Sequence, residues 1–162
     1  MQAGGHRFDP VYLHHVRIMN QLKFIQYVNL PKVPQELIDE LPTDIAFYNV
    51  INHGNYNWTD SFTEKINAWG KEFVGNEMYF GLQIMTGNVP VHKDIETQIK
   101  FVYLIDQGGT EVYTKFWNDN LDLLDQYKIE TNRWHILKAD CNHSVEGLEQ
   151  GKIRRSITAR IF

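Results

Sequence analysis

Beyond Gly75 the sequence breaks into short extended runs separated by turn signals, a pattern that leaves few folds open. Tyr79 to Thr86, Ile99 to Ile105, Thr110 to Phe116, Trp134 to Ala139 and Ile153 to Phe162 each read as a strand. Gly87-Asn88, Asp106-Gln107-Gly108-Gly109, Thr131-Asn132 and Gly147 to Gly151 punctuate them. Several short strands at this spacing predict an antiparallel sandwich or barrel, the arrangements in which such strands bury one face and leave few open edges.

The first part of the chain reads differently. Phe24 to Leu30 predicts a strand ending at Pro31, and Pro34 to Leu41 a short helix with proline near its start and Pro42 at its end. Ser61 and Glu64 have the spacing of a capping box, and Phe62, Ile66, Trp69 and Phe73 recur on one helical face before Gly75 stops the helix. The expected fold class is mainly β with supporting α-helices. We expect one domain over 1–162, with helical or mixed support in 1–78 and the β core in 79–162. No linker, repeat or low-complexity tract divides it.

Composition narrows the functional classes. The formal net charge is −4, so there is no excess of Lys and Arg to neutralise phosphates, and nucleic acid is not an expected partner. Cys141 is the only cysteine, which excludes an internal disulfide and suits a reducing compartment. No apolar run approaches the ~20 residues that cross a bilayer, and Met1 to Arg7 lacks a signal-peptide core. The expectation is a cytoplasmic protein without a membrane partner.

The residues that carry chemistry begin at His92-Lys93-Asp94. Residues two apart on a strand face the same way, so His92 and Asp94 can converge on one ion. A His-x-Asp triplet alone is a weak signal. His143 follows after 48 intervening residues that contain strand candidates, a separation that allows return across a barrel. Two imidazoles and one carboxylate leave adjacent coordination positions open, as non-haem Fe(II) requires, although zinc hydrolases use related ligands.

After ten intervening residues, Arg154 opens an Arg-x-Ser sequence completed by Ser156. On a strand, Arg154, Ser156, Thr158 and Arg160 share one face and Ile153, Ile157 and Ile161 the other. An inward guanidinium is costly without an anion, and a ligand carboxylate meets that need with two parallel hydrogen bonds. The Ser156 hydroxyl is placed to add another.

His92-x-Asp94, His143 and Arg154-x-Ser156 together resemble the facial triad and cosubstrate motif of the Fe(II)/2-oxoglutarate oxygenases. The stretches Leu82 to Gly87, Phe101 to Asp106, Gly108-Gly109-Thr110 and Asn142 to Val145 resemble that family too, so the likeness spans roughly 79–162. It implies a double-stranded β-helix, a cupin-like jelly roll, with the metal at its open end. It further implies Fe(II), 2-oxoglutarate and O2 as requirements, with succinate and CO2 as coproducts. Tyr103 falls where some members, prolyl hydroxylases among them, set a tyrosine against the distal carboxylate of 2-oxoglutarate. Met85 departs from the tyrosine many members carry there, which leaves Gln83 a weak candidate for the same pocket.

The expected activity is hydroxylation of a C–H bond in a protein or peptide residue, on the pattern of prolyl and aspartyl hydroxylases, or in a small metabolite. Two other readings stay open: a cupin-like metal enzyme that does not use 2-oxoglutarate, and a non-catalytic jelly-roll binding module. Elsewhere, His53 reads as a turn residue, His135 as a structural histidine and Cys141 as a small buried apolar residue. Arg155 is expected to face away from Arg154. Asp119, Asp122 and Asp125 mark an acidic solvated segment over 118–127.

Overall fold

In a computed structural model of the chain, the described residues are 23–44, 51–74, 78–94 and 97–161, without the side chains of 51–53, 73, 74, 160 and 161. Their strands are β1 (Ile25–Tyr27), β2 (Ile51–His53), β3 (Tyr56–Thr59), β4 (Met78–Met85), β5 (Val89–His92) and β6 (Ile99–Gln107). They continue with β7 (Tyr113–Trp117), β8 (Leu123–Tyr127), β9 (Trp134–Lys138), β10 (Asn142–Glu146) and β11 (Arg154–Ile161). Two helices accompany them, α1 (Gln35–Asp39) and α2 (Glu64–Val74). Among the described residues, no helix is long and apolar enough to cross a membrane.

The strands β4 to β11 pair as one long hairpin folded over on itself. β4 lies against β11, β5 against β10, β6 against β9 and β7 against β8, all antiparallel. Folding that hairpin distributes its strands between two sheets. One has the order β1-β9-β6-β11-β4-β3-β2 and the other β5-β10-β7-β8. This is the expected jelly roll, a double-stranded β-helix.

The large sheet is buried on both faces, so period-2 alternation sorts its side chains into two interiors. Phe80, Leu82, Ile84, Phe101, Tyr103, Trp134, Ile136, Ile157 and Ala159 pack with Val33, Ile38 and Leu41 around α1 and with Ile66 of α2. Val102, Leu104 and Leu137 turn the other way and meet Phe116 of the small sheet. Arg154, Ser156 and Thr158 share that inter-sheet side, while Ile157 and Ala159 face the helices. The alternation anticipated for this strand is therefore present from Ile153 to Ala159, with its polar row directed into the barrel, while the side chains of Arg160 and Ile161 lie outside the described residues.

Local differences from the sequence reading have physical causes. The capping box does not form, because the Ser61 amide donates to Thr59 Oγ1 at 3.1 Å and α2 starts only at Glu64. Thr63 instead donates its hydroxyl to the Phe80 carbonyl at 2.6 Å, and the Phe80 amide donates to Asn67 Oδ1 at 3.0 Å, tying the helix start to β4. Ile66 is buried and Trp69 partly buried on the expected helix face, Phe62 packs against the same core from just before the helix, and the side chain of Phe73 and the stop at Gly75 lie outside the described residues. His53 ends β2, with Gly54 (φ 65°) making the turn into β3. The 118–127 segment is not wholly a solvated loop: Leu123–Tyr127 forms an edge strand on β7. Gly81 lets the Trp58 indole cross the barrel face of β4, since a Cβ there would lie 2.3 Å from the ring.

Candidate metal centre

β5 and β10 are antiparallel neighbours with His92 and His143 directly opposite each other, which brings the imidazoles to a centroid separation of 4.3 Å. Asp94 follows two residues beyond His92, and its amide donates to the Ala139 carbonyl at 3.0 Å, fixing the chain as it leaves β5. His92 Nε2 lies 3.8 Å from Asp94 Oδ1, and His143 Nε2 lies 4.0 Å from Oδ2. The ligand atoms of His92, Asp94 and His143 all fall within 4.8 Å of one another. They are the neighbours a single small cation would need.

Both imidazoles are set in the tautomer that suits a metal. His92 Nδ1 lies 2.9 Å from the Pro90 carbonyl and His143 Nδ1 lies 2.8 Å from the Cys141 carbonyl. A carbonyl can only accept, so in the neutral ring the proton sits on Nδ1 and the Nε2 lone pair faces the site. His143 is buried, which pushes its pKa down to about 4, with the neighbouring His92 adding to the effect. The ring is thus neutral, the form in which histidine ligates.

Asp94 has a cationic neighbour that the sequence reading missed. Its Oδ2 accepts no well-directed hydrogen bond, but Lys100 Nζ lies 2.5 Å away in an ion pair whose side chains are 9% and 19% exposed. Lys100 alternates with Val102 and Leu104 along β6, so strand periodicity directs it between the sheets. A lysine inside the apolar run from Ile99 to Ile105, six positions after an acid, is the signal that could have found it.

Arg154 lies deeper in the same interior. Only 5% exposed, it makes two long contacts, Nη1 to the Gln107 carbonyl and Nη2 to Thr114 Oγ1, each 3.5 Å. Among the described residues no carboxylate comes within ion-pair distance. Burial pushes its pKa down to about 10, so it remains a cation at neutral pH. Thr114 stands on β7 two residues before Phe116, which is opposite His143, and is itself opposite Val145. At ~3.3 Å per residue, that sets it about 7 Å deeper than His143. A five-carbon dicarboxylate spans such a distance.

Ser156 is also inside the barrel, where its hydroxyl donates to Gln83 Oε1 at 2.8 Å. Tyr103 does not join this set. Its side chain is buried on the opposite face of the large sheet, 5.1 Å from the Trp134 ring, with its hydroxyl at the Val33 amide. Tyr103 pairs with Ile157, a helix-facing position, so it cannot reach a carboxylate held by Arg154. The residue of the small sheet that does meet Arg154 is Thr114.

The remaining side chains are structural neighbours of the site. Arg155 points away from Arg154, to Asp106 Oδ2 at 2.8 Å and the Leu41 carbonyl at 3.1 Å. His135 is buried, and burial together with the Arg154 charge lowers its pKa to about 3. Cys141 supplies its carbonyl to His143, and its partly buried thiol is pushed up in pKa by burial. Lys93 binds Asp119 at 2.9 Å, while Asn142 donates to the Asn118 carbonyl at 3.1 Å and to Asp119 at 3.3 Å. The loop after β7 is thereby tied to the residues flanking both histidines.

The chain is therefore a jelly roll with a His-Asp-His cluster between its sheets and a buried arginine below it. No protein-family model matches it, and no curated protein does. Among solved structures it is similar to the non-heme alpha ketoglutarate dependent epimerase SnoN from nogalamycin biosynthesis, at 12% identity and a TM-score of 0.53. That match covers 93% of this chain and 82% of the other. It is also similar to an oxidoreductase of the 2OG-Fe(II) oxygenase family from Burkholderia pseudomallei, at 10% identity and a TM-score of 0.51. Here 78% of this chain and 74% of the other are covered. At these identities the likeness is one of fold.

Proposed function

We propose that this chain is an Fe(II)- and 2-oxoglutarate-dependent dioxygenase that hydroxylates a C–H bond of a peptide residue or a small metabolite. The observation that carries the reading is Arg154, a buried guanidinium with no anionic partner among the described residues, about two strand residues deeper than a His-Asp-His cluster. A cation in that setting calls for a carboxylate from outside the protein. A dicarboxylate whose other end reaches the cluster is the ligand that satisfies both.

In this reading His92 and His143 hold the metal through Nε2, and Asp94 holds it through a carboxylate oxygen. Arg154 grips the distal carboxylate of 2-oxoglutarate, with Thr114 beside it, while Ser156 and Gln83 present a bonded polar pair on the same inner face. Met85, Val89, Val112 and Val145 form an apolar cluster near Arg154 that excludes water and strengthens its hold on the anion. Iron(II), once bound with 2-oxoglutarate and O2, supplies the oxidising chemistry for C–H cleavage, with succinate and CO2 as coproducts. The protein's contribution is to bind, orient and shield. Both named neighbours use or belong with this cosubstrate, which supports the reading without specifying the substrate.

The test is anaerobic addition of Fe(II) and 2-oxoglutarate, followed by the visible spectrum. Chelation of the cosubstrate to iron gives a weak charge-transfer band that neither gives alone. We expect the band in wild type, a weaker one in Arg154→Ala and none in His92→Ala. Iron bound without a band would overturn the assignment in favour of a cupin-like enzyme that does not use 2-oxoglutarate. Failure to bind iron would favour a non-catalytic module.

A further inference from the structure

Lys100 belongs to no motif of the triad or of the cosubstrate site, yet its ammonium group sits against one of the three ligand side chains. Its placement follows from strand β6, where it shares the inter-sheet face with Val102 and Leu104. The two carboxylate oxygens of Asp94 have different surroundings. Oδ1 faces His92 Nε2 at 3.8 Å, whereas Oδ2 is buried, 4.0 Å from His143 Nε2, and paired with Lys100 Nζ at 2.5 Å. The lysine competes with a metal for Oδ2, so the carboxylate favours offering Oδ1.

We propose that Lys100 is a positioning residue of the metal centre, keeping Asp94 monodentate by holding Oδ2 and moderating metal affinity by its charge. The inference rests on the reading of His92, Asp94 and His143 as metal ligands. Both effects follow from electrostatics. Lys100 already neutralises Asp94, so an arriving dication must share a carboxylate with a resident cation and accept its repulsion. A second carboxylate oxygen on the metal would occupy a position that a chelating ligand or O2 needs. Outer partners of ligands commonly set orientation and affinity in this way. Here the unusual feature is that the partner is itself a cation.

The experiment uses the full chain with Co(II), whose affinity is read by competition with a chromophoric chelator and whose d–d bands report coordination number. Lys100→Met removes donor and charge at similar volume. Lys100→Gln removes the charge but retains an N–H donor, and Lys100→Arg retains both. Both neutral variants are expected to bind Co(II) about tenfold more tightly, the scale of removing a nearby like charge. Lys100→Met should also show weaker d–d bands as Oδ2 joins the metal. Lys100→Gln should keep the wild-type band shape, and Lys100→Arg both wild-type properties. A purely structural lysine predicts the opposite, with affinity lowered or unchanged and the bands unaltered in both neutral variants. That outcome overturns the proposal while leaving the metal centre intact. If wild type binds Co(II) no better than His92→Ala, the metal reading itself fails and takes the proposal with it.

Discussion

Replacing Arg154 with methionine should stabilise the ligand-free protein while abolishing its response to 2-oxoglutarate. The depression of the Arg154 pKa from 12.5 to about 10 corresponds to roughly 3 kcal/mol against the charged side chain in the folded state. Its two contacts, to Gln107 and Thr114, are both at the 3.5 Å limit and return about 0.5 kcal/mol each. Methionine fills much of the same space without a charge and can pack toward Met85 and Val145. The expected net gain is about 2 kcal/mol, in line with replacing other buried ions by apolar side chains. For a chain of this size that raises the thermal midpoint by ~4–8 °C. The assay is thermal unfolding of wild type and Arg154→Met, each with and without Mn(II) and 2-oxoglutarate. Wild type should gain stability from the pair by mass action, and the variant should gain only what the metal alone provides. A lower midpoint for ligand-free Arg154→Met would refute the reasoning, since it would mean that the guanidinium already has a stabilising partner.

The buried histidines predict acid sensitivity of the metal-free protein. His143 at about 4 and His135 at about 3 bind fewer protons folded than unfolded below the ordinary value of 6.5. Their contribution is complete above 6.5 and is lost as pH falls toward the folded values, at roughly 1 kcal/mol per pH unit for each. Urea midpoints should therefore drop between pH 7 and pH 5 by the equivalent of about 3 kcal/mol, and a flat profile would contradict the burial argument. Tyr103→Phe should leave the affinity for 2-oxoglutarate unchanged in a titration of the charge-transfer band and cost about 1 kcal/mol through the lost contact with the Val33 backbone. A large loss of cosubstrate affinity would return Tyr103 to the pocket.

Much of the fold was legible because its signals are local. Alternation in 153–162 anticipated a polar row opposite an apolar one, and the structure has Arg154, Ser156 and Thr158 between the sheets with Ile157 among the helices. The extended runs around Tyr79, Ile99 and Trp134 became β4, β6 and β9 because their apolar and β-branched residues suit strands buried on both faces. Other elements carried no local signature. β10 contains Asn142, His143, Ser144 and Glu146, and its extended form comes from pairing with β5 on one side and β7 on the other. β8 is largely exposed along its length, so its Asp and Gln read as loop, and it is a strand only through its register with β7.

The sequence by itself determined which residue types could gather around a cation, since the alternation of His92 and Asp94 and the guanidinium of Arg154 are local chemistry. Which side chains share an interior was decided only by tertiary structure. Tyr103 and Thr114 show why: each lies on a strand, but their roles depend on which sheet face meets the helices and which strand lies across the barrel. A register shift between Arg155 and Ser156 further changes the pairing of β11 with β6, and a one-residue shift exchanges the two faces of a strand. The Asp94–Lys100 pair arises in the same way, because the face β6 turns inward brings a lysine beside the acid that follows β5. Strand periodicity is carried by neighbours in the chain, whereas register and facing are set by pairing between distant segments.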